Sequence, residues 1–184
     1  MRSQFRTALA VASLALPAPL AAQGGFWASA GLGTGMQQVA CEICRGEGNG
    51  GWSAKLAAGG TLSTRVRLGG EFHGWTDKTE DIRFTFYSVT PAIYWYPSGS
   101  TPYYLMAGAG LANYKASNAN EEISTSSVGL TVGMGLELPL VGRWRLNPFA
   151  SYTGTVLANL KVNRTIIADA QLSLFQLGVG VTRR

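Results

Sequence analysis

Charged residues are scarce in this 184-residue chain, and so are long apolar runs. Asp, Glu, Lys and Arg make up 14% of the residues, well below the quarter that is typical of soluble domains. Outside the N-terminus no run of about eighteen apolar residues occurs, which excludes a transmembrane helix there. The cations are scattered rather than clustered on one basic helix, so nucleic acid is not an expected partner.

Side chains that bind metals or cofactors are also few. The chain has one histidine, His73, and two cysteines, Cys41 and Cys44, in a C-E-I-C motif. Haem attachment needs a histidine directly after such a motif, and Arg45 stands there instead. Zinc would need a second pair of ligands, which His73 cannot supply alone. We therefore expect no metal and no cofactor. In an oxidising compartment we expect Cys41 and Cys44 to form a small loop disulfide.

The N-terminus has the pattern of a targeting segment. Two arginines near the start precede an apolar stretch from about residue 8 to 16, and small residues follow up to Ala22. These are the three parts of a cleavable signal peptide, and the apolar stretch is too short for an uncleaved membrane anchor. We predict that residues 1–22 are removed, that residues 23–184 form the mature domain, and that the chain is exported.

The most frequent pattern is an alternation of large apolar residues with small ones. From Ser127 to Leu138 the sequence reads S-V-G-L-T-V-G-M-G-L-E-L, so that every even position is large and apolar. Successive side chains of a β-strand point to opposite faces, so this stretch has one apolar face and one narrow, glycine-rich face. Glycine weakens an ordinary strand and marks a crowded approach. A small closed barrel with its apolar face toward lipid explains both faces.

Seven other stretches alternate in the same way. We predict eight strands in all, at about residues 26–35, 52–61, 65–75, 83–96, 103–115, 127–138, 145–157 and 171–182. Each is long enough to cross a bilayer as a tilted strand. The connections alternate between long polar segments (36–51, 76–82, 116–126 and 158–170) and short ones (62–64, 97–102 and 139–144). The fold prediction is an all-β, eight-stranded, antiparallel up-and-down transmembrane β-barrel; a soluble, lipocalin-like ligand-binding barrel is the alternative.

Aromatic residues gather near the predicted strand ends. One group lies by the short connections: Trp95, Tyr96, Tyr103, Tyr104 and Trp144. A second group lies toward the long ones: Trp52, Trp75, Phe84, Phe86, Tyr114 and Tyr152. We predict that they form the two aromatic girdles of a membrane barrel rather than an ordinary core.

The charged residues within the predicted strands share the inward face: Lys55, Arg65, Arg67, Glu71, His73 and Glu137. A short turn centred on Ser63 would place Lys55 directly across from Glu71, where opposite charges stabilise each other. Arg67 and Glu137 both lie toward the short-turn end and could meet across the interior. We predict a lumen polar cluster of Lys55, Arg67, Glu71, His73 and Glu137 that plugs a barrel too narrow to conduct. The functional alternative is a gate or an ion path.

These features resemble those of a known family. The signal peptide, the G-x-G strands such as Gly108 to Gly110 and Gly178 to Gly180, and the tail from Leu177 to Thr182 resemble the OmpA/OmpX-type small outer-membrane β-barrel proteins of Gram-negative bacteria. The resemblance covers the whole mature chain. It implies a place in the bacterial outer membrane, with short turns in the periplasm and long loops outside. It also implies two partners, outer-membrane lipid and the barrel-insertion machinery. The family usually ends its last strand with an aromatic residue, whereas this sequence ends in Thr182-Arg183-Arg184.

Three functions remain as hypotheses. The first is a non-enzymatic, monomeric barrel of structural or surface-interaction type (envelope integrity, adhesion), whose charged loops contact an extracellular ligand or a host surface. The second is a narrow, porin-like channel, supported by the lumen charges. The third is a lipid-modifying enzyme. Some outer-membrane barrels are lipid-modifying enzymes that resemble acyl hydrolases or acyltransferases, with His and Ser near the membrane rim. In this chain His73 lies on the predicted lumen face and has no serine at a matching spacing. No catalytic residue is therefore predicted.

Overall fold

The computed structural model of the protein describes residues 25–41, 48–98, 100–118, 122–155, 158–162 and 165–184, and the predicted signal peptide lies outside these residues. Within them ten strand segments form one antiparallel sheet. The segments are β1 (Phe26–Cys41), β2 (Asn49–Thr61), β3 (Val66–Thr79), β4 (Ile82–Trp95), β5 (Tyr103–Ser117), β6 (Glu122–Leu136), β7 (Leu138–Pro139), β8 (Trp144–Thr155), β9 (Ala158–Val162) and β10 (Thr165–Arg183). Among the described residues, no helix is long and apolar enough to cross a membrane.

The sheet closes on itself, because β1 pairs with β2 on one side and with β10 on the other. β6 and β7 form one strand of the wall, interrupted at Glu137, and both pair with β8. β8 and β9 form another, since each pairs with β6 and with β10. The ten described segments therefore make an eight-stranded up-and-down barrel. The predicted fold class is confirmed.

The alternation in the sequence separates the outside of the wall from the inside. On β6 the side chains of Val128, Leu130, Val132 and Met134 point outward, and Met134 is 59% exposed, whereas the neighbouring Thr131 is completely buried. Large apolar side chains exposed in this way would be unfavourable in water and are favourable against hydrocarbon. The prediction that the apolar face is the outer one is confirmed.

The outer apolar surface forms a band of limited height. On β5 the outward-facing side chains are apolar from Tyr103 to Leu111, and the polar Asn113 and Lys115 follow on the same face. This length matches the roughly 9–11 residues that a tilted strand needs to cross the hydrocarbon of a bilayer. The band lies next to the short turns, so the strands project beyond it at the other end.

At that other end the strands are longer than predicted. β3 and β4 continue to Thr79 and Ile82, so that only Glu80 and Asp81 connect them, and β5 continues to Ser117. The prediction of long loops at these positions is wrong, because much of each segment is a regular β-hairpin. The strand ends were predicted from the alternation of apolar residues. Backbone hydrogen bonds between strands do not require an apolar face, so the strands continue where the alternation stops.

The pairing of β2 with β3 differs from the prediction by two residues. Lys55 lies across from His73 and not from Glu71. The predicted turn centre is wrong because β3 begins only at Val66, and Arg65 is exposed in the turn instead of facing the interior. A shift of two residues leaves all the remaining side chains of β2 and β3 on their predicted faces, since the side-chain period of a strand is two.

Candidate functional site

Two apolar layers fill much of the barrel interior. The layer toward the short turns contains Trp27, Tyr94, Tyr96, Tyr104 and Met106. The layer toward the hairpin end contains Trp75, Phe86, Tyr114, Leu172 and Leu174. Polar side chains lie between them. On β3, for example, Glu71 and His73 come between the short-turn end of the strand and Trp75. An eight-stranded barrel is just wide enough for its side chains to fill it.

These layers correct two predictions. Aromatic residues on the outer face do form girdles at the two edges: Trp95, Tyr103 and Trp144 at one, Trp52 and Tyr152 at the other. Five others predicted for the girdles are buried inside: Tyr96, Tyr104, Trp75, Phe86 and Tyr114. Phe84 is partly buried and packs against the layer toward the hairpin end. The prediction of a lumen plugged by polar side chains is likewise incomplete, because these rings fill it too.

The polar side chains between the two layers form a connected cluster with Tyr94 of the short-turn layer. We name this cluster the central network: Lys55, Glu71, His73, Tyr94 and Gln176. Glu71 holds it together, since one carboxylate oxygen lies 2.9 Å from Lys55 Nζ and the other lies 2.9 Å from His73 Nε2. The hydroxyl of Tyr94 also donates a hydrogen bond to Glu71. The other ring nitrogen of His73 lies 2.7 Å from Gln176 Oε1. The network thus connects strands β2, β3, β4 and β10.

Aromatic rings surround the ammonium group of Lys55. Its Nζ lies 4.9 Å from the ring centroid of Phe149, 5.8 Å from that of Tyr104 and 5.9 Å from that of Tyr94. A desolvated cation at such distances gains about 2 kcal/mol from an aromatic face. The rings therefore offset part of the cost of burying this charge, and Glu71 offsets more.

A second cluster closes the end of the barrel at the short turns, and we name it the mouth cluster: Arg67, Tyr96, Glu137 and Arg184. Arg67 Nη1 donates to Glu137 Oε1 at 2.8 Å, and the Tyr96 hydroxyl donates to the same oxygen at 2.9 Å. Arg184 donates to the other carboxylate oxygen. The guanidinium of Arg67 also lies 4.5 Å from the ring centroid of Tyr96. Two arginines and a tyrosine thus fix one buried carboxylate across the opening.

The five residues predicted for the lumen cluster all face inward, but they lie in two places. Lys55, Glu71 and His73 belong to the central network, whereas Arg67 and Glu137 meet in the mouth cluster.

Sequence reasoning missed Tyr94, Tyr96, Gln176 and Arg184 as members of these clusters. Tyr94 and Tyr96 could have been found, because each lies an even number of residues from the inward-facing Thr90 on β4.

The arrangement is suited to packing rather than to chemistry. Both ring nitrogens of His73 have oxygen partners inside a completely buried pocket, so neither is available to a substrate as a base. Among the described residues no group of three or more His, Cys, Asp or Glu side chains could hold a metal ion. Cys44 lies outside the described residues and Cys41 is described only in its backbone, so the loop disulfide stays a prediction.

Comparisons with known proteins agree with this geometry. The sequence model of the family described as "Outer membrane protein beta-barrel domain" matches residues 7–182. Neisserial surface protein A has a similar structure, with a TM-score of 0.63 and 19% identity over 87% of this chain and 97% of the other.

Two further solved barrels are similar. Ail, the attachment invasion locus protein of Yersinia pestis, has a TM-score of 0.51 at 20% identity over 85% of this chain and 97% of its own. OprG from Pseudomonas aeruginosa has a TM-score of 0.52 at 12% identity, covering 87% and 98%. No curated protein sequence matches the chain.

Proposed function

The chain belongs to the outer membrane protein beta-barrel domain family, and on that basis we propose that it is a structural or surface-interaction barrel of the bacterial outer membrane without enzymatic activity. The filled lumen carries this proposal. Phe86 and Leu174 are completely buried in one layer, and Tyr104 is 1% exposed in the other, with the ion-paired central network between them. A permeating ion would have to displace packed rings at two levels, which an ordinary close-packed interior resists.

The part of the barrel that projects beyond the apolar band supports a role at the surface. Lys78, Glu80 and Asp81 are exposed at the tip of the β3–β4 hairpin, on strands that are continuous with the wall. Exposed tips on a rigid scaffold commonly carry binding. Two similar structures have names that refer to such roles, one a "surface protein" and the other an "attachment invasion locus protein". These names support a role at the surface for this chain.

Conductance across a planar bilayer tests the filled lumen. We expect the purified full chain to give no discrete current steps. The double variant Trp75→Ala, Phe86→Ala, which empties part of the layer toward the hairpin end, serves as a control for a loosened core. Discrete steps from the unmodified chain would overturn the basis of the proposal. If Lys55→Ala or Glu71→Ala then changed their ion selectivity, the central network would line a narrow channel, which is the second candidate function.

A shortened hairpin separates the structural role from the surface role. Replacing residues 78–83 with Asn-Gly leaves Asp77 and Phe84 as the last pair of β3 and β4 and closes them with a favoured two-residue turn. In cells that lack the protein, we expect this variant to restore resistance to detergent but not adhesion to host cells, whereas the full chain restores both. If cells without the protein lose neither property, the proposal is wrong.

Lipid mass spectrometry tests the absence of enzymatic activity. Lipid A and phospholipids should have the same composition in cells with and without the protein, because His73 is enclosed on all sides. A change in either lipid class that His73→Gln abolishes would indicate a lipid-modifying enzyme instead.

A further inference from the structure

A trough of small side chains crosses the outer face of the barrel close to the short turns. The register places Ala28, Ala58 and Gly70 side by side on β1, β2 and β3, and Arg183 on β10 pairs with Ala28 at one end of this row. The next row is bulkier and borders the trough with Leu56, Phe72 and Val181. The resulting groove has a volume of about 760 Å³.

The length of the trough fits one lipid chain. Strands are about 4.8 Å apart, so the row from β10 to β3 is about 14 Å long. The trough therefore stays within one leaflet, whose depth is half of the roughly 30 Å hydrocarbon core. Since strands in such barrels are tilted, a row of paired residues runs obliquely up the wall from the short-turn rim.

An arginine-lined pocket opens where the trough reaches the rim. Its volume is about 670 Å³, and it shares Ala28 and Arg183 with the trough. Arg143, Arg145 and Arg184 complete its basic lining. The register of β8 with β10 brings these residues together, since Thr182 pairs with Arg145, and the Arg184 amide donates to the Arg143 carbonyl at 3.1 Å.

The positive charge of this pocket is only partly neutralised within the barrel. Arg184 reaches Glu137 in the mouth cluster, but none of the carboxylates described here forms an ion pair with Arg143, Arg145 or Arg183. Planar guanidinium groups bind phosphate oxygens through paired hydrogen bonds. The pocket therefore suits a phosphate group that lies at the level of the short turns.

We propose that the trough and the arginine pocket together form a binding site for one anionic phospholipid of the leaflet on the short-turn side. One acyl chain lies in the trough over Ala28, Ala58 and Gly70, and the phosphate lies among Arg143, Arg145 and Arg183. Charge complementarity selects this occupant over a second copy of the chain, because a copy would bring its own arginines to the same place. The trough lies on the outer face of the barrel, apart from the lumen, and the arginine pocket shares Arg184 with the mouth cluster.

Native mass spectrometry of the full chain in a neutral detergent tests the site, with phosphatidylglycerol and phosphatidylcholine as probes. We expect one retained phosphatidylglycerol per barrel and weaker retention of phosphatidylcholine. The double variant Arg143→Gln, Arg183→Gln should lower phosphatidylglycerol affinity about thirtyfold, as two lost charge contacts of this kind predict. Arg65→Gln, at the same rim but outside the pocket, should leave it unchanged.

A second pair of variants tests the acyl chain independently of the charges. Ala58→Leu fills the trough and should weaken phosphatidylglycerol binding severalfold, whereas Ala107→Leu, which is exposed on β5 away from the trough, should not. Heat-dependent gel mobility verifies that each variant folds. Equal effects from Ala58→Leu and Ala107→Leu would overturn the proposal.

Two other outcomes would also overturn it. If glycerol phosphate bound as tightly as the lipid, the pocket would recognise the phosphate group alone and the trough would not hold an acyl chain. A lipid-free dimer that Ala58→Leu dissociates would mean that the trough is an interface between copies.

Discussion

Replacing Glu71 with glutamine tests how the barrel tolerates charge in its centre. Glu71 is 1% exposed and accepts contacts from Lys55, His73 and Tyr94. Glutamine keeps the shape of the side chain but removes its charge. Lys55 then remains buried with only aromatic rings around its ammonium group. The substitution therefore leaves an uncompensated charge in the lumen.

The magnitude follows from the contacts. Breaking a buried ion pair by removing one partner costs about 3–5 kcal/mol. The rings near Lys55 recover part of this, so we expect a loss near the lower limit, about 3 kcal/mol in the free energy of unfolding. That is roughly a hundredfold change in the ratio of folded to unfolded barrel. Lys55→Met should cost less, about 1–2 kcal/mol, because Glu71 keeps two hydrogen-bond donors.

The double variant Lys55→Met, Glu71→Gln distinguishes this explanation from simple loss of packing. It removes both charges, and replacing a buried pair with groups of similar volume is often close to neutral. We expect it to unfold with a loss of about 1 kcal/mol, well below the sum of the single losses. The measurement is urea-induced unfolding in lipid vesicles, followed by tryptophan fluorescence and gel mobility. A double variant whose loss equals that sum would refute the reasoning.

Three further substitutions extend the test to the wall and the mouth. Val132→Arg places a charge on the lipid face and should cost about 2–4 kcal/mol by the same unfolding assay, with Val132→Leu as a neutral control. Gly31→Ala should cost about 1–3 kcal/mol, because the new Cβ would lie 2.7 Å from the Phe149 ring, and Phe149→Leu should restore part of the loss. Glu137→Gln should destabilise less than Glu71→Gln, because Arg184 is about 41% exposed and water can solvate it. Arg67 stays buried, but its guanidinium is more weakly hydrated than an ammonium group and lies over the Tyr96 ring. An equal or larger loss would show that the mouth is as dry as the centre.

The fold could be predicted from the sequence because the signal for it is repeated in every strand. Alternation fixes which face a residue occupies, and the register error of two residues between β2 and β3 changed the predicted position of Arg65 alone. The strand ends toward the hairpins could not be predicted. The alternation of large apolar residues stops where the strands leave the apolar band, although backbone pairing continues to Ser117 on β5 and to Thr79 on β3.

The interior was harder to predict than the wall. Trp75 and Tyr104 were assigned to girdles by their height along the barrel, whereas their parity places them inside with His73 and Met106. Position along a strand indicates depth in the membrane, but only parity indicates the face. Which charges meet depends on pairing around the whole barrel. Glu71 lies two residues from His73 on β3, whereas Gln176, 103 positions from His73, reaches it only because β10 closes onto β1.

The inward glycines and the inward aromatic rings are two parts of one packing arrangement. A Cβ on Gly31 or Gly178 would lie 2.7 Å from the ring of Phe149, and a Cβ on Gly35 would lie 2.8 Å from the ring of Trp75. Each ring thus occupies the space that a side chain at the glycine position would need. A glycine loses more conformational entropy on folding than other residues do, and the dispersion contacts of a large buried ring offset this loss. The glycine-rich face seen in the sequence is therefore the complement of a filled interior.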